Sequence, residues 1–470
     1  MTISTKTFER RGFLRGALAA AVLVPLGGTL ASCAAGGGGG TAAGPTGTVS
    51  DKNPFGVADN STVDIVVFNG GYGIDYAEFA ATALSKGLST VKATVKSSTD
   101  ISGELQPRFA GGTPPDVFDN SGAKSIGINT ILDQLEDLTP LLSAKNLEGT
   151  TIKDTLFEGV AAPGTFGGKF VALNYVLTVF GVWYSASLFE ANGWTPPKTW
   201  DEALALGAQA ATKGKKLFVW GKEAATYYMT LAMDSAIKEG GDEVRLGLEN
   251  LKADAWSHPA IKTVLGKIEQ AVKAGYFIPG GSGTQFTQAQ ASWSNNQDAL
   301  LYPSGSWIEN EMKKQTKDGF KMTGMPAFTV TSSPKLPYES VHSAAGEPYM
   351  IPTKGKNVAG AKEFLRVMLS KEAATNFAKT KLAPTIVKGT VPADGFGSTA
   401  LVSQTKMIDA AGKNTFTTNF NDFYGTNKDF LTIWNTFLDG KSDAATVISA
   451  SQGIFDKIRT DSSITKVEVK

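Results

Sequence analysis

The chain has 470 residues, of which 42% are hydrophobic, and its 45 Lys and Arg nearly balance 44 Asp and Glu, for a net charge of +1. Nucleic-acid binding needs a basic excess or stripe that neutralises phosphates, so this balance argues against a binder of polyanions. The length favours two or more lobes of ordinary domain size.

The chain begins with the pattern of an export signal. Arg10 and Arg11 precede a short apolar run over 17–26, which is too short for a membrane span, and Leu-Ala-Ser-Cys ends the segment at Cys33. Paired arginines are typical of twin-arginine export, although a generic signal also carries positive charge. The last four residues resemble a bacterial lipobox, which predicts lipidation of Cys33; the alternative is an ordinary secretory signal with an incidental thiol.

The segment after the predicted signal, 34–59, starts with a run of glycines and continues with small and polar residues. This composition buries little, so it predicts a flexible tether that holds the body at the extracellular face of the bacterial cell membrane. Cys33 is the only cysteine, and the body must therefore be stable without a disulfide.

The first part of the body alternates short apolar runs with helical patterns. Strands are predicted at 63–68, 90–95 and 116–118, and helices around 76–84 and 101–109. The alternation recurs with strands at 180–184 and 216–220 and helices at 201–211, 222–238, 359–370, 428–438 and 444–459. Such alternation predicts βαβ units with parallel strands, arranged as two α/β lobes.

A glycine-rich segment and the two histidines do not match enzyme motifs. The segment 164–170 lacks the phosphate-loop spacing and has Phe170 where Ser or Thr should bind magnesium, so we expect a hairpin turn there. His258 precedes a proline at a predicted helix start, and His342 lies in a Ser/Ala-rich segment that we expect to be a loop. With no cysteine pair or paired histidines, we expect no metal and no cofactor.

Several blocks in order resemble the extracellular solute-binding proteins (family 1) of carbohydrate ABC importers. They are 112–117, 135–141, 167–175, 183–202, 299–307 and 347–352. The similarity is closest to the actinobacterial N-acetylglucosamine/chitobiose-binding lipoproteins, through 68–73, 105–109, 119–123, 256–260, 305–311 and 346–348. Residues 388–421 match less obviously, which leaves the length and identity of the ligand open.

The resemblance implies a type II periplasmic-binding-protein-like fold, with two α/β lobes and a ligand cleft between them. Lobe 1 is expected to comprise 60–173 and 306–346, and lobe 2 to comprise 174–305 and 347–470, with hinge crossings near 174–178, 302–305 and 347–353. It also implies a monomer that binds a sugar, closes on it and docks on ABC permease subunits in the same membrane.

A neutral sugar needs aromatic platforms and polar side chains, and the resemblance makes Trp307 the first candidate platform. The alternative is a tryptophan packed under the helix that follows. Asn69 and Tyr72 follow the first predicted strand and Asn120 and Ser121 the third, so all four should reach the cleft; turn chemistry is the alternative for Asn69.

Glu347 lies at a predicted hinge crossing, where its carboxylate would accept sugar hydroxyls or form a salt bridge between lobes. Further candidate platforms, each of which core packing would also explain, are Tyr175, Tyr227, Tyr228, Trp293 and Tyr424.

Three alternatives to this ligand and function stay open. The expected ligand is N-acetylglucosamine or a chitobiose-like oligosaccharide. The first alternative is another neutral oligosaccharide of the cellobiose or maltose type. A secreted glycosidase would need two carboxylates roughly 5 to 10 Å apart, which sequence alone cannot exclude among 44 acids. A structural adhesin would bind surfaces without a saturable soluble ligand.

Overall fold

The structure, a computed structural model, describes residues 47–157 and 159–469. The predicted signal 1–33, its Cys33 and the tether as far as residue 46 lie outside these residues. Residues 47–59, expected in the tether, fold onto the body. Asn53 uses its side chain to accept from the Val57 N–H (2.8 Å) and to donate to the Val57 carbonyl (2.9 Å), and Val57 is buried.

Strands and helices alternate along most of the described chain. The strands are β1 (Thr62–Phe68), β2 (Lys92–Ser98), β3 (Val117–Asp119), β4 (Thr165–Phe166), β5 (Lys169–Phe170), β6 (Leu173–Ser185), β7 (Lys216–Phe218), β8 (Ala299–Gly305), β9 (Met322–Met325), β10 (Val341–Met350) and β11 (Thr415–Phe416). The helices are α1 (Asp75–Gly87), α2 (Ile101–Ala110), α3 (Thr139–Ser143), α4 (Ile152–Thr155), α5 (Ala186–Asn192), α6 (Trp200–Thr212), α7 (Thr226–Gly240), α8 (Asp242–Glu249), α9 (Pro259–Lys273), α10 (Phe286–Ala291), α11 (Ile308–Met312), α12 (Val358–Met368), α13 (Lys371–Lys381), α14 (Thr399–Ala411), α15 (Phe420–Tyr424), α16 (Asn427–Leu438) and α17 (Ala444–Thr460). Among the helices of the described ranges, none combines the length and apolar character needed to cross a membrane.

Local sequence explains several element boundaries. Thr199 and Glu202 form a reciprocal capping box at the start of α6. His258 accepts from the Ala260 N–H at the start of α9, directly before Pro259, as the helix-start prediction implied. The expected hairpin is present: β4 and β5 pair antiparallel across two glycines with positive φ, Gly167 at 58° and Gly168 at 80°.

The main sheet has the strand order β2-β1-β3-β10-β6-β8-β7, with β9 and β11 attached to β6 and β10. Parallel pairing is confirmed for β1 with β2 and β3 and for β7 with β8. The centre differs, because β10 runs antiparallel to both β3 and β6, and β6 runs antiparallel to β8 and β9. The predicted strand 180–184 and the expected crossing 174–178 form one continuous strand, β6.

Buried side chains form two large clusters at the two ends of this sheet. The first cluster joins β1 and α1 to α12 and α13, and the second joins α6, α7 and α9 to α16 and α17. We expected 347–470 to lie entirely in lobe 2, but 349–387 packs in the first cluster because β10 leads the chain back to β3. Conversely Ile308, Met312 and Met322, expected in lobe 1, pack with Trp183 and Trp293.

His342 corrects the expectation of a loop, since it lies in β10. Its ring stacks between Phe180 (4.8 Å) and Phe416 (5.6 Å), and its Nδ1 lies 3.0 Å from the buried Asp234 carboxylate. Within the described part of the chain, no group of three or more His, Cys, Asp or Glu could hold a metal ion.

Candidate functional site

The loop after β1 is shaped by glycines that allow close packing. A Cβ at Gly70 would come within 2.2 Å of the Phe68 ring, and one at Gly122, in the loop after β3, within 2.4 Å of the same ring. Gly73 closes the turn with φ of 65° and an N–H bond to the Gly70 carbonyl. The two loops therefore meet at Phe68, and the side chain of Asn69 is exposed beside them.

Trp307 lies at the end of β8 and touches residues from both ends of the sheet. A Cβ on Gly71 would lie 3.0 Å from its Cδ1, and the ring packs against Phe180 (centroids 5.5 Å apart) and Tyr227 (5.8 Å). The ring is only partly buried, so Trp307 is not enclosed in the core under the following helix. It has the position that a stacking platform requires.

Ser121 links two carboxyl groups at this site. Its hydroxyl lies 2.5 Å from Asp119 Oδ1 and 3.0 Å from Glu347 Oε2. Burial and the neighbouring Asp119 raise the pKa of Glu347 well above its usual value, and burial raises the pKa of Asp119. Neither carboxylate makes an ion pair with a basic side chain of the described residues, so the predicted interlobe salt bridge of Glu347 has no partner there.

The backbone of Glu347 is strained. Its φ is 54°, in the left-handed region that residues other than glycine rarely adopt. It is held there between Gly346, which pairs with Val176 of β6, and Pro348, whose carbonyl accepts from the Asn120 N–H (3.0 Å). Strain of this kind is concentrated at ligand sites and switch regions, where the surrounding structure maintains it.

Two further candidates lie near this group. Tyr72 is buried, with its ring against Phe377 (5.2 Å). Burial, followed by the Glu347 charge, raises the pKa of Tyr72. Tyr227 is partly buried at the start of α7 and lines a small cavity of about 10 Å³ together with Phe180, Asp234 and Ser304.

Other candidates occupy structural positions instead. Asn120 is buried, and its side chain closes the loop 120–126 through two 2.8 Å bonds to the Ile126 backbone. Tyr228 donates its hydroxyl to the Val219 carbonyl, and Trp293 donates its indole N–H to the Leu300 carbonyl. Tyr175 is enclosed in the first cluster, stacked on Tyr76. We therefore assign Tyr175, Tyr228 and Trp293 to the core and Asn120 to loop support.

Tyr424 is partly buried beside Phe423 (4.8 Å), and its pKa is raised by burial. Its packing joins the second cluster to a smaller group around Phe118 and Phe423. No described aromatic contact connects Tyr424 with Trp307.

Sequence reasoning missed four residues around Trp307: Asp119, Thr178, Phe180 and Ser306. Asp119 ends β3, so the rule that pointed to its neighbours Asn120 and Ser121 applies to it equally. Ser306 stands in the same Gly-Ser-Trp block as Trp307. Thr178 and Phe180 carry no such signal, because their importance comes from the antiparallel pairing of β6 with β10 and β8.

A larger cavity lies elsewhere, beside α14. Its volume is about 550 Å³, and its lining includes Gly324, Tyr338, Asp394, Lys406 and Met407. Helix α14 packs on β9 and on the face of β6 that carries Val179, since Met407 and Val179 share a small cluster. Phe180 and Thr178 point to the opposite face of β6, so this cavity is separate from the Trp307 group.

Comparison with known proteins identifies the family of this chain. The model of the family described as bacterial extracellular solute-binding protein matches residues 44–375. The diacetylchitobiose binding protein NgcE of Streptomyces coelicolor is 58% identical over 471 residues, covering 100% of both chains. An uncharacterised ABC transporter extracellular-binding protein of Pyrococcus horikoshii is 29% identical over 27% of this chain and 30% of its own.

Solved structures show the same fold at low sequence identity. The solute-binding protein RafE in complex with raffinose superposes with a TM-score of 0.68 at 20% identity, over 84% of this chain and 99% of its own. A chitin oligosaccharide binding protein superposes with a TM-score of 0.68 at 18% identity, over 83% and 98%. The fold is thus the two-lobed periplasmic-binding-protein fold, and the chain belongs to the family of bacterial extracellular solute-binding proteins.

Proposed function

We propose that this protein is the sugar-binding lipoprotein of an ABC importer and that its ligand is N,N′-diacetylchitobiose, N-acetylglucosamine or a short chitin oligosaccharide. The observation that carries the proposal is the position of Trp307. Its partly buried side chain lies against the loop after β1 on one side and against Tyr227 on the other, and the loop after β3 carries Ser121, whose hydroxyl meets Glu347. The full-length similarity to a diacetylchitobiose binding protein supports the choice of sugar.

In this proposal the ring of Trp307 stacks on the apolar face of one sugar ring. Asn69, Ser121 and Glu347 supply hydrogen bonds to hydroxyl groups, and Tyr227 borders the site from α7. Because these side chains come from both ends of the sheet, a sugar that contacts all of them favours the closed arrangement of the lobes over an open one. Closure then presents the importer with a distinct shape.

The packing of the two clusters suggests revised lobe boundaries. Lobe 1 would comprise roughly 57–172 and 349–387, and lobe 2 roughly 180–341 and 395–460, because these ranges contain the side chains of each cluster. The connections between them would be β6, β10 and the segment after 387. Two of these are long central strands, so lobe movement would twist β6 and β10 instead of bending loops.

We further propose that Cys33 carries the lipid, that twin-arginine export delivers the chain, and that it acts as a monomer at the extracellular face of the membrane. Residues 34–46 would then connect the anchor to the body. The permease subunits are the expected protein partners. The sequence pattern at 10–33 supports the anchor, and membership of the importer family supports the location outside the cytoplasm.

The test of the ligand is a thermal-shift and calorimetry panel on the mature chain. N-acetylglucosamine, diacetylchitobiose and longer chitin oligosaccharides would be compared with cellobiose, maltose and raffinose. A ligand at a hundred times its Kd stabilises the fold by about 2.7 kcal/mol, which gives a clear shift. Shifts with cellobiose, maltose or raffinose but with no N-acetylated sugar would refute the proposed ligand while leaving the family assignment intact.

A further inference from the structure

Three hydroxyl groups from distant segments meet beside Trp307. The hydroxyl of Tyr72, in the loop after β1, lies against those of Thr178 in β6 and Ser306 at the end of β8. Each of the three residues is only 2% exposed. We call this group the hydroxyl notch.

Two hydroxyls of the notch lack a partner. The Tyr72 hydroxyl and Thr178 Oγ1 are buried and make no hydrogen bond of good geometry with any described residue. Ser306 Oγ accepts from the Val179 N–H at 3.3 Å, which leaves its own proton available. A buried hydroxyl without a partner costs about 1–3 kcal/mol, so an unpaired set of this kind at a ligand cleft indicates a place for a polar ligand group.

Gly346 packs directly against the Thr178 side chain. A Cβ on Gly346 would come within 2.4 Å of Thr178 Oγ1, so any larger residue at 346 would displace that hydroxyl. Phe180 follows Thr178 by two positions in β6 and therefore points to the same face, where its ring meets that of Trp307. The notch thus combines free hydroxyl donors with an adjacent apolar wall.

We propose that the hydroxyl notch holds the acetamido group of the sugar that stacks on Trp307, an inference that rests on the proposed function. An acetamide offers a carbonyl oxygen with two lone pairs, which matches two unpaired hydroxyl donors. Its methyl group needs an apolar surface, which the rings of Phe180 and Trp307 provide. A sugar with a plain hydroxyl at this carbon lacks the methyl group that covers the apolar wall and the carbonyl oxygen that reaches beyond the ring carbon, so the notch selects N-acetylated sugars.

The test compares the binding of two ligands to the wild type and to two isosteric variants. Calorimetry would compare N,N′-diacetylchitobiose with its bis-thioacetyl analogue, whose sulfur is a poor hydrogen-bond acceptor, on wild type, Tyr72→Phe and Thr178→Val. One hydrogen bond contributes about 0.5–1.5 kcal/mol, so we expect wild type to prefer the acetyl sugar by about 3- to 10-fold. Each variant should bind the acetyl sugar several-fold more weakly and lose most of that preference.

Tyr228→Phe is the matched control, because it removes a buried tyrosine hydroxyl whose partner is a core carbonyl. It should keep both affinities. Gly346→Ala is a second, independent variant that displaces the Thr178 hydroxyl, and it should weaken diacetylchitobiose binding at least 10-fold. Melting of this variant measures any accompanying loss of stability.

The outcomes separate the two proposals. If wild type binds no N-acetylated sugar, the proposed function fails and this inference fails with it. If wild type binds diacetylchitobiose, but Tyr72→Phe and Thr178→Val retain the full preference for acetyl over thioacetyl, the hydroxyls do not contact the acetamido oxygen and the notch assignment alone is overturned. Unchanged affinity in Gly346→Ala would likewise overturn it.

Discussion

Asp119 and Glu347 approach the same hydroxyl from two strands that lie far apart in sequence. The Ser121 hydroxyl lies 2.5 Å from one and 3.0 Å from the other, and no basic side chain of the described residues neutralises either. A buried carboxyl group and a partly buried one that share a hydroxyl do not both ionise readily, because each charge disfavours the other. The pair therefore ties the stability of the unliganded protein to pH.

The sign of that dependence follows from the raised pKa of Glu347. A carboxyl whose folded pKa lies above its unfolded value contributes stability at low pH, and this contribution is lost as pH rises through the folded pKa. We expect Glu347→Gln, which cannot ionise, to gain in Tm relative to wild type as pH rises from about 5 to about 8. Calorimetric melting of both proteins across this range is the measurement.

The control for this experiment is Glu372→Gln, at an exposed position in the first turn of α13. Its difference from wild type should stay constant over the range. A Glu347→Gln difference that is equally flat would show that the pair carries no pH-dependent charge in the folded state.

Trp307→Ala should weaken sugar binding more than it weakens the fold. Removing a stacking platform from a cleft costs about 2 kcal/mol of binding or more, equivalent to a 30-fold rise in Kd. Calorimetric titration and melting are the measurements, and Trp293→Ala is the matched control. Trp293 is fully buried, so its loss should cost about 3–5 kcal/mol of stability. A severely lowered Tm in Trp307→Ala with unchanged affinity would place Trp307 in the core.

Gly71→Ala tests the contact between the loop after β1 and the platform. The new methyl would lie 3.0 Å from Trp307 Cδ1 and 3.2 Å from its Cβ, so either the loop or the ring must shift by a few tenths of an ångström. We expect sugar affinity to fall several-fold with a small change in Tm. Identical sugar affinity in this variant would mean that the platform tolerates displacement.

Gly266→Ala is the glycine control for that variant. Gly266 lies inside α9, where an added Cβ meets nothing within 4 Å. Replacing an exposed helical glycine by alanine stabilises a protein by roughly 0.5–1 kcal/mol. This substitution should raise Tm by about 1 °C or less and leave sugar affinity unchanged.

Cys33→Ser tests the anchor. Lipid binding to membranes grows by about 0.8 kcal/mol per buried methylene, so an acylated cysteine holds the chain firmly and an unacylated one scarcely at all. We expect the variant to move from the membrane fraction to the soluble fraction. A cleaved, exported variant that stays on the membrane at high salt would refute lipidation at Cys33.

Local patterns predicted much of the lobe architecture. The apolar run of β1, the hairpin at 164–170 and helix α6 all depend on neighbouring residues, and each is present where the sequence places it. The antiparallel passage of β10 beside β6 depends on residues that are far apart in the chain, which periodicity does not record. For that reason the sequence predicts a loop at His342 and an assignment of 349–387 to lobe 2.

The candidate site was also only partly predictable, because short local blocks can be recognised in the sequence and long-range packing cannot. Trp307, Ser121 and Glu347 stand in short blocks with a recognisable context, and the structure brings Ser121 and Glu347 into contact. Tyr228 and Trp293 are aromatic residues of the kind that form sugar-binding platforms. Both are buried in the core, and residue type alone does not reveal that burial. The hydroxyl notch depends on Tyr72, Thr178 and Ser306, which only the strand pairing brings together.

The return of the chain to the first cluster also determines the order in which the protein can fold. Helices α12 and α13 complete the core around β1 and α1, yet they are synthesised after residue 357. A nascent chain that has emerged only as far as β9 lacks these helices and exposes the apolar face of α1 that they cover. The core of the first cluster therefore cannot be completed during synthesis until α12 and α13 have emerged.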